Sequence, residues 1–273
     1  MWRKFLLASA SSMALAGTAL AADLAVAPPP PPVFTWTGLY VGGYGGGEIT
    51  HTSYNTLVGT PFAGPAYLVA PSDIATVDVL TSQSLSKGGF TAGAELGYNW
   101  QIGFFVLGFE TDIGGVTGST RSVNGGLLSN GSSFTTVQRV DNGLFGTVRG
   151  RLGVAFDRLL LYGTGGLAYT SGSYGFSYTD NFPAGGNAST GTKVGYVVGG
   201  GLEYGLTDNV SVKGEFLYSQ FARVTATSQL VDFVGLGSTN PFVTSARVQE
   251  YTARVGLNYR FNWFAPAPVV AKY

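Results

Sequence analysis

The sequence predicts an all-β protein: a closed, antiparallel, up-and-down transmembrane β-barrel of eight strands, with long extracellular loops and short periplasmic turns. Three observations predict it. Only 11 % of the 273 residues are charged, against roughly 25 % in soluble domains. Apolar and polar residues alternate with a period of two in eight stretches, which is the period of a strand. The connections between the stretches are alternately long and short, as in outer-membrane barrels.

The composition supports strands and excludes several classes of function. The chain has 42 glycines and 14 % aromatic residues, a pairing that disfavours helices and favours strands. Basic and acidic residues balance at 15 each, so no strong field attracts nucleic acid, and we expect no nucleic-acid partner. The absence of cysteine excludes disulfides and thiol chemistry.

The first 21 residues have the pattern of a cleaved signal peptide. Arg3 and Lys4 give a positive start, an apolar and small-residue run follows, and Ala19 and Ala21 supply the small residues that a cleavage site needs. We expect cleavage after Ala21, with Ala22 as the alternative. An uncleaved anchor is disfavoured, because the run is short and interrupted by Ser, Gly and Thr.

Two segments flank the predicted barrel of residues 36–261. Residues 22–35 contain five consecutive prolines, which fix an extended backbone and predict a periplasmic tether. A partner-binding proline motif is the alternative for this segment. Residues 262–273 are predicted to be a C-terminal periplasmic tail. After the signal peptide no long unbroken apolar stretch follows, so no transmembrane helix is predicted.

The predicted strands are joined by turns that contain Gly, Asp or Asn, as tight hairpins need. An even number of strands places both termini on the periplasmic side. The strands are residues 36–48, 89–101, 104–114, 143–156, 159–172, 192–204, 210–221 and 247–261. The short turns are residues 102–103, 157–158 and 205–209, and the long loops are residues 49–88, 115–142, 173–191 and 222–246.

The alternation assigns residues to the two faces of the predicted wall. In residues 90–101, Phe90, Leu96 and Trp100 share one face, whereas Glu95 and Asn99 share the other. A soluble β-sandwich shows the same period of two. The length of the predicted strands favours the barrel, because it is near or above the ~9–11 residues that a strand needs to cross a membrane. Aromatic residues gathered at the ends of the predicted strands also favour the barrel, because such residues are enriched at membrane interfaces. These are Trp36, Trp100, Phe156, Tyr204 and Phe261 at the turn end, and Phe90, Tyr169, Tyr196, Tyr218 and Tyr251 at the loop end.

Five acids and five bases fall on faces that the alternation directs into the lumen. An eight-stranded barrel is filled by its side chains, so buried charges there must be paired. We predict a structural charge network, and replacing Arg149 and Arg151 with Met should lower the unfolding temperature in detergent. A charged constriction in a narrow pore and an acid–base pair are the alternatives. The ten residues are Glu95, Glu110, Asp112, Arg149, Arg151, Glu203, Lys213, Glu215, Arg254 and Arg260.

No residue pattern indicates catalysis or a bound cofactor, so we expect neither. His51 is the only histidine. The sequence therefore offers neither a catalytic triad nor a metal site built from several histidines. A solvated loop side chain is the simplest interpretation of His51, and one ligand of a haem is the alternative.

Seven phrases of the mature chain, taken in their order and spacing, resemble a known family. They are Trp36–Gly43, Gly108–Asp112, Gly146–Gly153, Leu161–Tyr169, Gly201–Tyr204, Lys213–Tyr218 and Val255–Phe261. Together they resemble the small immunogenic outer-membrane β-barrels of alphaproteobacteria, often called porin-family surface antigens. The resemblance implies an outer-membrane barrel with antigenic surface loops and supplies no catalytic residue.

One departure from the family pattern lies at the C-terminus. Family chains usually end at the aromatic residue that corresponds to Phe261, which resembles the assembly signal read by the barrel-insertion machinery. Here residues 262–273 follow and end at Tyr273. The signal either tolerates this tail or is read at Tyr273. We expect assembly to survive deletion of the tail.

The resulting hypothesis is a non-enzymatic, structural outer-membrane protein that supports envelope integrity and exposes antigenic loops. Its partners are outer-membrane lipids and the barrel-assembly machinery. One alternative is a narrow porin for small solutes. Another is a surface binder or adhesin whose loops take a haem or a host component. An enzyme acting on lipid A lacks a visible catalytic set.

Overall fold

The computed structural model describes residues 34–60, 68, 70–141, 143–180, 192–231 and 238–261. The predicted signal peptide with Ala21 and Ala22, most of the tether, and the tail lie outside these residues. The described residues form one helix, α1 (Pro71–Thr81), and twelve strands. The strands are β1 (Gly38–Val58), β2 (Ser84–Ile102), β3 (Phe105–Val116), β4 (Ser119–Leu127), β5 (Ser133–Asp141), β6 (Leu144–Phe156), β7 (Leu159–Thr170), β8 (Ser173–Asp180), β9 (Lys193–Gly205), β10 (Val210–Phe221), β11 (Val224–Val231) and β12 (Ser238–Phe261).

Eight of the strands close into an antiparallel barrel, which confirms the predicted fold. Their order around the barrel is β1-β2-β3-β6-β7-β9-β10-β12, and β12 pairs back to β1. The closing register runs from Leu39 opposite Phe261 to Val58 opposite Phe242. Each of the eight predicted strands corresponds to one of these strands.

The two faces of the wall are those that the alternation predicts. Leu152 and Val255 point outward and are 63 % and 60 % exposed, whereas Glu95 and Arg149 point inward and are buried. This is the inverse of a soluble protein, because the outer face meets lipid and the polar face fills the interior. Within the described residues, no helix is long and apolar enough to cross a membrane.

The short connections join neighbouring strands at one end of the barrel, here called the turn end; the opposite end is the loop end. Ile102 pairs with Phe105 and Phe156 pairs with Leu159, so two-residue turns connect them. The first turn is therefore residues 103–104, one residue later than predicted. Residues 206–209 form the third connection.

The long connections contain regular structure that the sequence did not predict. β1 and β12 continue for 21 and 24 residues, about twice the length needed to cross the membrane. β4, β5 and β8 form a separate three-stranded sheet, and β11 pairs with the loop-end part of β12. In the described strands of these connections, the backbone groups are thus paired in ladders.

Helix α1 lies inside the predicted first loop, where no helical period is visible in the sequence. Its buried side chains are Asp73, Val77 and Thr81, which are spaced four residues apart on one face. Two of the three are polar, so the buried face shows no apolar stripe. Asp73 accepts hydrogen bonds from the backbone N–H and the hydroxyl of Ser129, each 2.8 Å long.

The loop-end sheet and α1 share an apolar core. Phe134 stacks on Tyr178 at 5.5 Å between ring centroids, and Tyr178 contacts Phe242 of β12 at 5.4 Å. Gln138 donates to the carbonyl of Thr81 at 2.6 Å. We call α1, β4, β5 and β8 the external unit. Its core side chains pack together with Leu68 and with Phe242 of β12, and they are Val77, Leu128, Phe134, Phe176 and Tyr178.

Trp36 departs from the predicted aromatic girdle. Its side chain is 1 % exposed, and its indole N–H donates to the carbonyl of Asp157 at 3.1 Å. Gly38, the first residue of β1, has a φ of +144°, which glycine adopts more easily than other residues. Trp36 packs in the buried apolar cluster at the turn end, whereas Trp100 and Phe156 are outward and about half exposed as predicted.

Candidate functional site

Nine of the ten predicted lumen charges meet in one buried layer at mid-height of the barrel. They come from six of the eight barrel strands, because the inward positions of neighbouring strands lie side by side. Every one of the nine side chains is at most 3 % exposed. We call this set the lumen network: Glu95, Glu110, Asp112, Arg149, Arg151, Glu203, Lys213, Glu215 and Arg254.

Arg149 of β6 is the centre of the lumen network. Its Nη1 donates to Glu215 Oε1 at 2.9 Å, and its Nη2 donates to Asp112 Oδ2 at 3.1 Å. The same Nη2 also donates to Glu110 Oε1. A planar guanidinium with five N–H donors can serve three carboxylates at once, and here it links β3 to β10 across the lumen.

Arg254 of β12 bonds two of the same carboxylates from the opposite wall. Its Nη2 lies 2.6 Å from Glu215 Oε2 and 3.0 Å from Asp112 Oδ2. Its guanidinium also lies over the ring of Tyr44, 4.1 Å from the centroid. Glu215 is therefore held between two arginines, as a buried carboxylate requires.

Lys213 and Arg151 extend the lumen network toward the turn end. Lys213 Nζ lies 2.7 Å from Glu95 Oε1 and 3.1 Å from Glu110 Oε2. Arg151 Nη2 lies 2.7 Å from Glu203 Oε2. Since each base contacts at least one acid on another strand, the network ties the wall together across the interior.

Neutral side chains add hydrogen bonds to two of the carboxylates, Glu110 and Glu203. Tyr40 donates to Glu110 Oε2 at 2.7 Å and accepts from Arg151 at 3.0 Å. Ser211 and Asn258 donate to Glu203 Oε1 at 2.5 and 3.1 Å. The sequence prediction omitted these residues, although they occupy the same inward positions of the alternation.

A glycine makes room for one of these tyrosines. A Cβ at Gly97 of β2 would lie 2.3 Å from the hydroxyl oxygen of Tyr40, a distance that excludes any larger residue. At this position an inward glycine therefore accommodates a long side chain from the neighbouring strand.

Arg260 is the one predicted residue that does not join the lumen network. Its Nη2 donates to the carbonyl of Asp208 at 2.7 Å. Its guanidinium lies over Phe34 and Trp36, 4.6 and 5.4 Å from their ring centroids. The alternation gives its face correctly, but its place at the end of β12 puts it level with the turn-end aromatics instead of the carboxylates.

Apolar side chains close the interior above and below the lumen network. At the turn end lie Trp36, Val106, Ala155, Leu160 and Tyr162. At the loop end lie Tyr54, Phe145, Ala168, Val197, Leu217, Phe221, Ala246 and Val248. The lumen network thus lies between two apolar clusters, and its nine charged side chains are shielded from solvent.

The other candidate residues lie away from this layer. His51 is exposed and shares a 2.6 Å hydrogen bond between its Nδ1 and Ser86 Oγ. Phe261 ends β12 and packs against Tyr259, with ring centroids 5.1 Å apart. Among the described residues, no three His, Cys, Asp or Glu side chains are placed to hold a metal ion together. Roles for His51 in haem binding and for Phe261 in assembly stay predictions.

The family of the chain follows from comparison with known proteins. The family profile described as the outer membrane protein beta-barrel domain matches residues 7–261. The chain belongs to this family. The structure and the match together place the protein in the outer membrane of a Gram-negative bacterium.

Curated relatives carry the same description. The 31 kDa outer-membrane immunogenic protein of Brucella melitensis is 38 % identical over 272 residues, which cover 95 % of this chain and all of the relative. A 25 kDa outer-membrane immunogenic protein of the same organism is 26 % identical over 266 residues, covering 95 % and 98 %.

A solved structure is similar at a coarser level. The outer membrane protease OmpT of Escherichia coli matches with a TM-score of 0.44 and 10 % identity, over 85 % of this chain and 99 % of that one. At these values the match supports no inference about activity.

Proposed function

We propose that this protein is a non-conducting structural barrel that stabilises the envelope and presents a folded external unit as a surface antigen. The observation that carries the proposal is the closed interior. The lumen network fills the middle of the barrel with side chains that are at most 3 % exposed, and apolar layers cover it on both sides. A water path would require both layers and several ion pairs to open.

The antigenic role is supported by the relatives and by the external unit. Two relatives are named outer-membrane immunogenic proteins. In this chain the loop-end connections carry exposed strand faces on an apolar core, with Val123 and Leu127 54 % and 70 % exposed. A folded surface of this kind gives an antibody a fixed shape to bind.

The membrane orientation is part of the proposal. We place the turn end and both termini in the periplasm and the external unit outside the cell, because short turns face the periplasm and long connections face outward in barrels of this class.

Single-channel recording of the refolded protein in a planar bilayer tests the closed barrel. We expect no stable conductance steps from the wild type, with insertion shown separately by co-flotation with the lipid. Truncating Arg149 and Arg254 together to Ala should open steps, because it removes the two guanidiniums that fill the centre. Stable wild-type steps whose ion selectivity changes in Glu215→Gln would contradict the proposal and identify a pore.

Cysteine labelling tests the orientation, and the cysteine-free sequence provides a clean background. Thr135 of β5 and Asp208 in the last turn are both exposed. A membrane-impermeant maleimide should label Thr135→Cys in intact cells and Asp208→Cys only after the outer membrane is permeabilised. The reverse pattern would overturn the orientation.

A further inference from the structure

A second pair of buried acids lies toward the loop end of the lumen, outside the lumen network. Glu48 of β1 and Glu250 of β12 both point inward and are 3 % and 5 % exposed. Glu250 is opposite Thr50, two residues from Glu48, across the β1–β12 ladder. The two carboxylates are therefore diagonal neighbours.

No base neutralises this pair in the way that the arginines neutralise the lumen network. Within the described part of the chain, no Lys or Arg nitrogen lies within 4.0 Å of either carboxylate. Lys87, opposite Thr50 on β2, is the basic residue next to Glu48, but it forms no such ion pair. Two buried neighbouring carboxylates repel each other unless a proton or a cation lies between them.

Two buried hydroxyl groups lie on the positions paired with Glu48 and Glu250. Ser219 is opposite Glu250, and Thr252 is opposite Glu48. They are 1 % and 3 % exposed, and neither hydroxyl has a hydrogen-bond partner among the described residues. Glu48 Oε2 and Glu250 Oε2 are also without a hydrogen-bond partner there. Unpartnered buried polar atoms on adjoining strands are costly unless something binds them.

The donor atoms select a class of ligand. Glu48, Thr50, Ser219, Glu250 and Thr252 offer carboxylate and hydroxyl oxygens, with neither sulfur nor imidazole. Thr50 also donates to Glu48 Oε1 at 2.9 Å, which fixes the orientation of that carboxylate. Oxygen ligands with two negative charges suit Ca²⁺, a hard cation that takes 6–8 oxygens in flexible geometry.

We propose that Glu48 and Glu250, with the hydroxyls of Thr50, Ser219 and Thr252, form a calcium site at the loop end of the lumen. The bound ion neutralises both carboxylates and links β1, β10 and β12 where β12 closes the barrel. With only two carboxylates the site should be weak, in the range of about 0.1–1 mM that extracellular modules show.

The test measures bound calcium and thermal stability in the full-length protein. The chain is refolded in detergent without lipopolysaccharide, which itself binds divalent cations, in the presence of CaCl₂ or of EGTA. Elemental analysis after gel filtration in CaCl₂-containing buffer, corrected for the buffer, gives calcium per chain, and loss of the folded gel mobility on heating gives the unfolding midpoint. We expect one calcium per wild-type chain and a higher midpoint in CaCl₂ than in EGTA.

Four variants distinguish the calcium site from a proton shared by the two acids and from neutralisation of the pair by Lys87. Glu250→Gln should lose the bound calcium and the calcium-dependent rise in midpoint. Ser219→Ala, a milder change that should fold, should weaken calcium binding by about tenfold. Lys87→Met should retain calcium, as should Asp141→Asn on the exposed face of β5.

Two results would overturn the calcium site. A wild type that binds no calcium, together with a Glu250→Gln variant at least as stable, would show that the two acids share a proton. A Lys87→Met variant that gains calcium absent from the wild type would show that Lys87 neutralises the pair.

Discussion

The barrel and the external unit bury opposite kinds of side chain, although one chain builds both. In the barrel the interior holds ion pairs such as Arg149 with Glu215 at 2.9 Å, while Leu152 and Leu257 are exposed on the outer face. In the external unit Phe134 and Tyr178 are buried, while Arg121 and Arg139 are exposed.

The difference reflects the solvent that surrounds each part. The outer face of the barrel meets hydrocarbon, so polar groups have no place except inside. The external unit meets water, so burying apolar area stabilises it in the ordinary way. The barrel depends on pairing its charges, because an isolated buried charge costs far more than a lost apolar contact.

The largest expected effect comes from breaking the lumen network. Arg149→Met leaves Glu110, Asp112 and Glu215 with fewer bases and should destabilise the barrel by about 3–5 kcal/mol. The measurement is the free energy of unfolding in urea, followed by tryptophan fluorescence in detergent.

The matched control is Arg139→Met, which breaks an ion pair at the surface. Arg139 Nε lies 2.8 Å from Asp141 Oδ2, but its side chain is 63 % exposed, so the loss should stay under about 1 kcal/mol. Equal losses in the two variants would show that burial does not strengthen the role of Arg149.

The second prediction breaks the external unit alone. Phe134→Ala leaves a cavity between Tyr178 and the helix and should destabilise this unit by about 3 kcal/mol. Trypsin should then cleave at Arg121 and Arg139 faster, while the heat-resistant mobility of the barrel is unchanged. Val123→Ala, at a side chain 54 % exposed on the same hairpin, should change neither. A lower barrel midpoint in Phe134→Ala would mean that the two parts unfold together.

The smallest expected effect is a pH dependence in the external unit. Burial raises the pKa of the Asp78 carboxyl above its ordinary value, and the hydrogen bond from the Val58 N–H at 2.8 Å opposes that shift. A raised folded pKa means that the folded state binds the proton more tightly. Its contribution to stability is present below the ordinary pKa and is lost as the pH rises through the raised value.

Asp78→Asn tests that pH dependence, because it keeps the amide oxygen for Val58 and removes the charge. Hydrogen-exchange protection of α1 in the wild type, corrected for intrinsic rates, should fall slightly from about pH 4 to pH 7. The variant should show a flatter profile. An equal slope in both proteins would assign the dependence to another group.

The barrel was predictable because its signal is local. Alternation in residues 90–101 and 251–261 gives the face of each side chain without knowledge of its partners. The same alternation, continued by one residue before Tyr251, also gives Glu250 an inward side chain. The external unit was not predictable in this way, because Asp73 and Thr81 on the buried face of α1 hide its period.

The sequence by itself determined the fold class, the eight barrel strands and the faces of the ten candidate charges, since strand alternation needs only neighbouring residues. Only the tertiary structure decided which charges meet. Arg254 and Asp112 are 142 positions apart, and Lys213 and Glu110 are 103 apart, so closure of the barrel sets their contact. The same closure leaves Arg260 with aromatic rings and brings Glu48 beside Glu250, because height along the barrel depends on the register between strands distant in sequence.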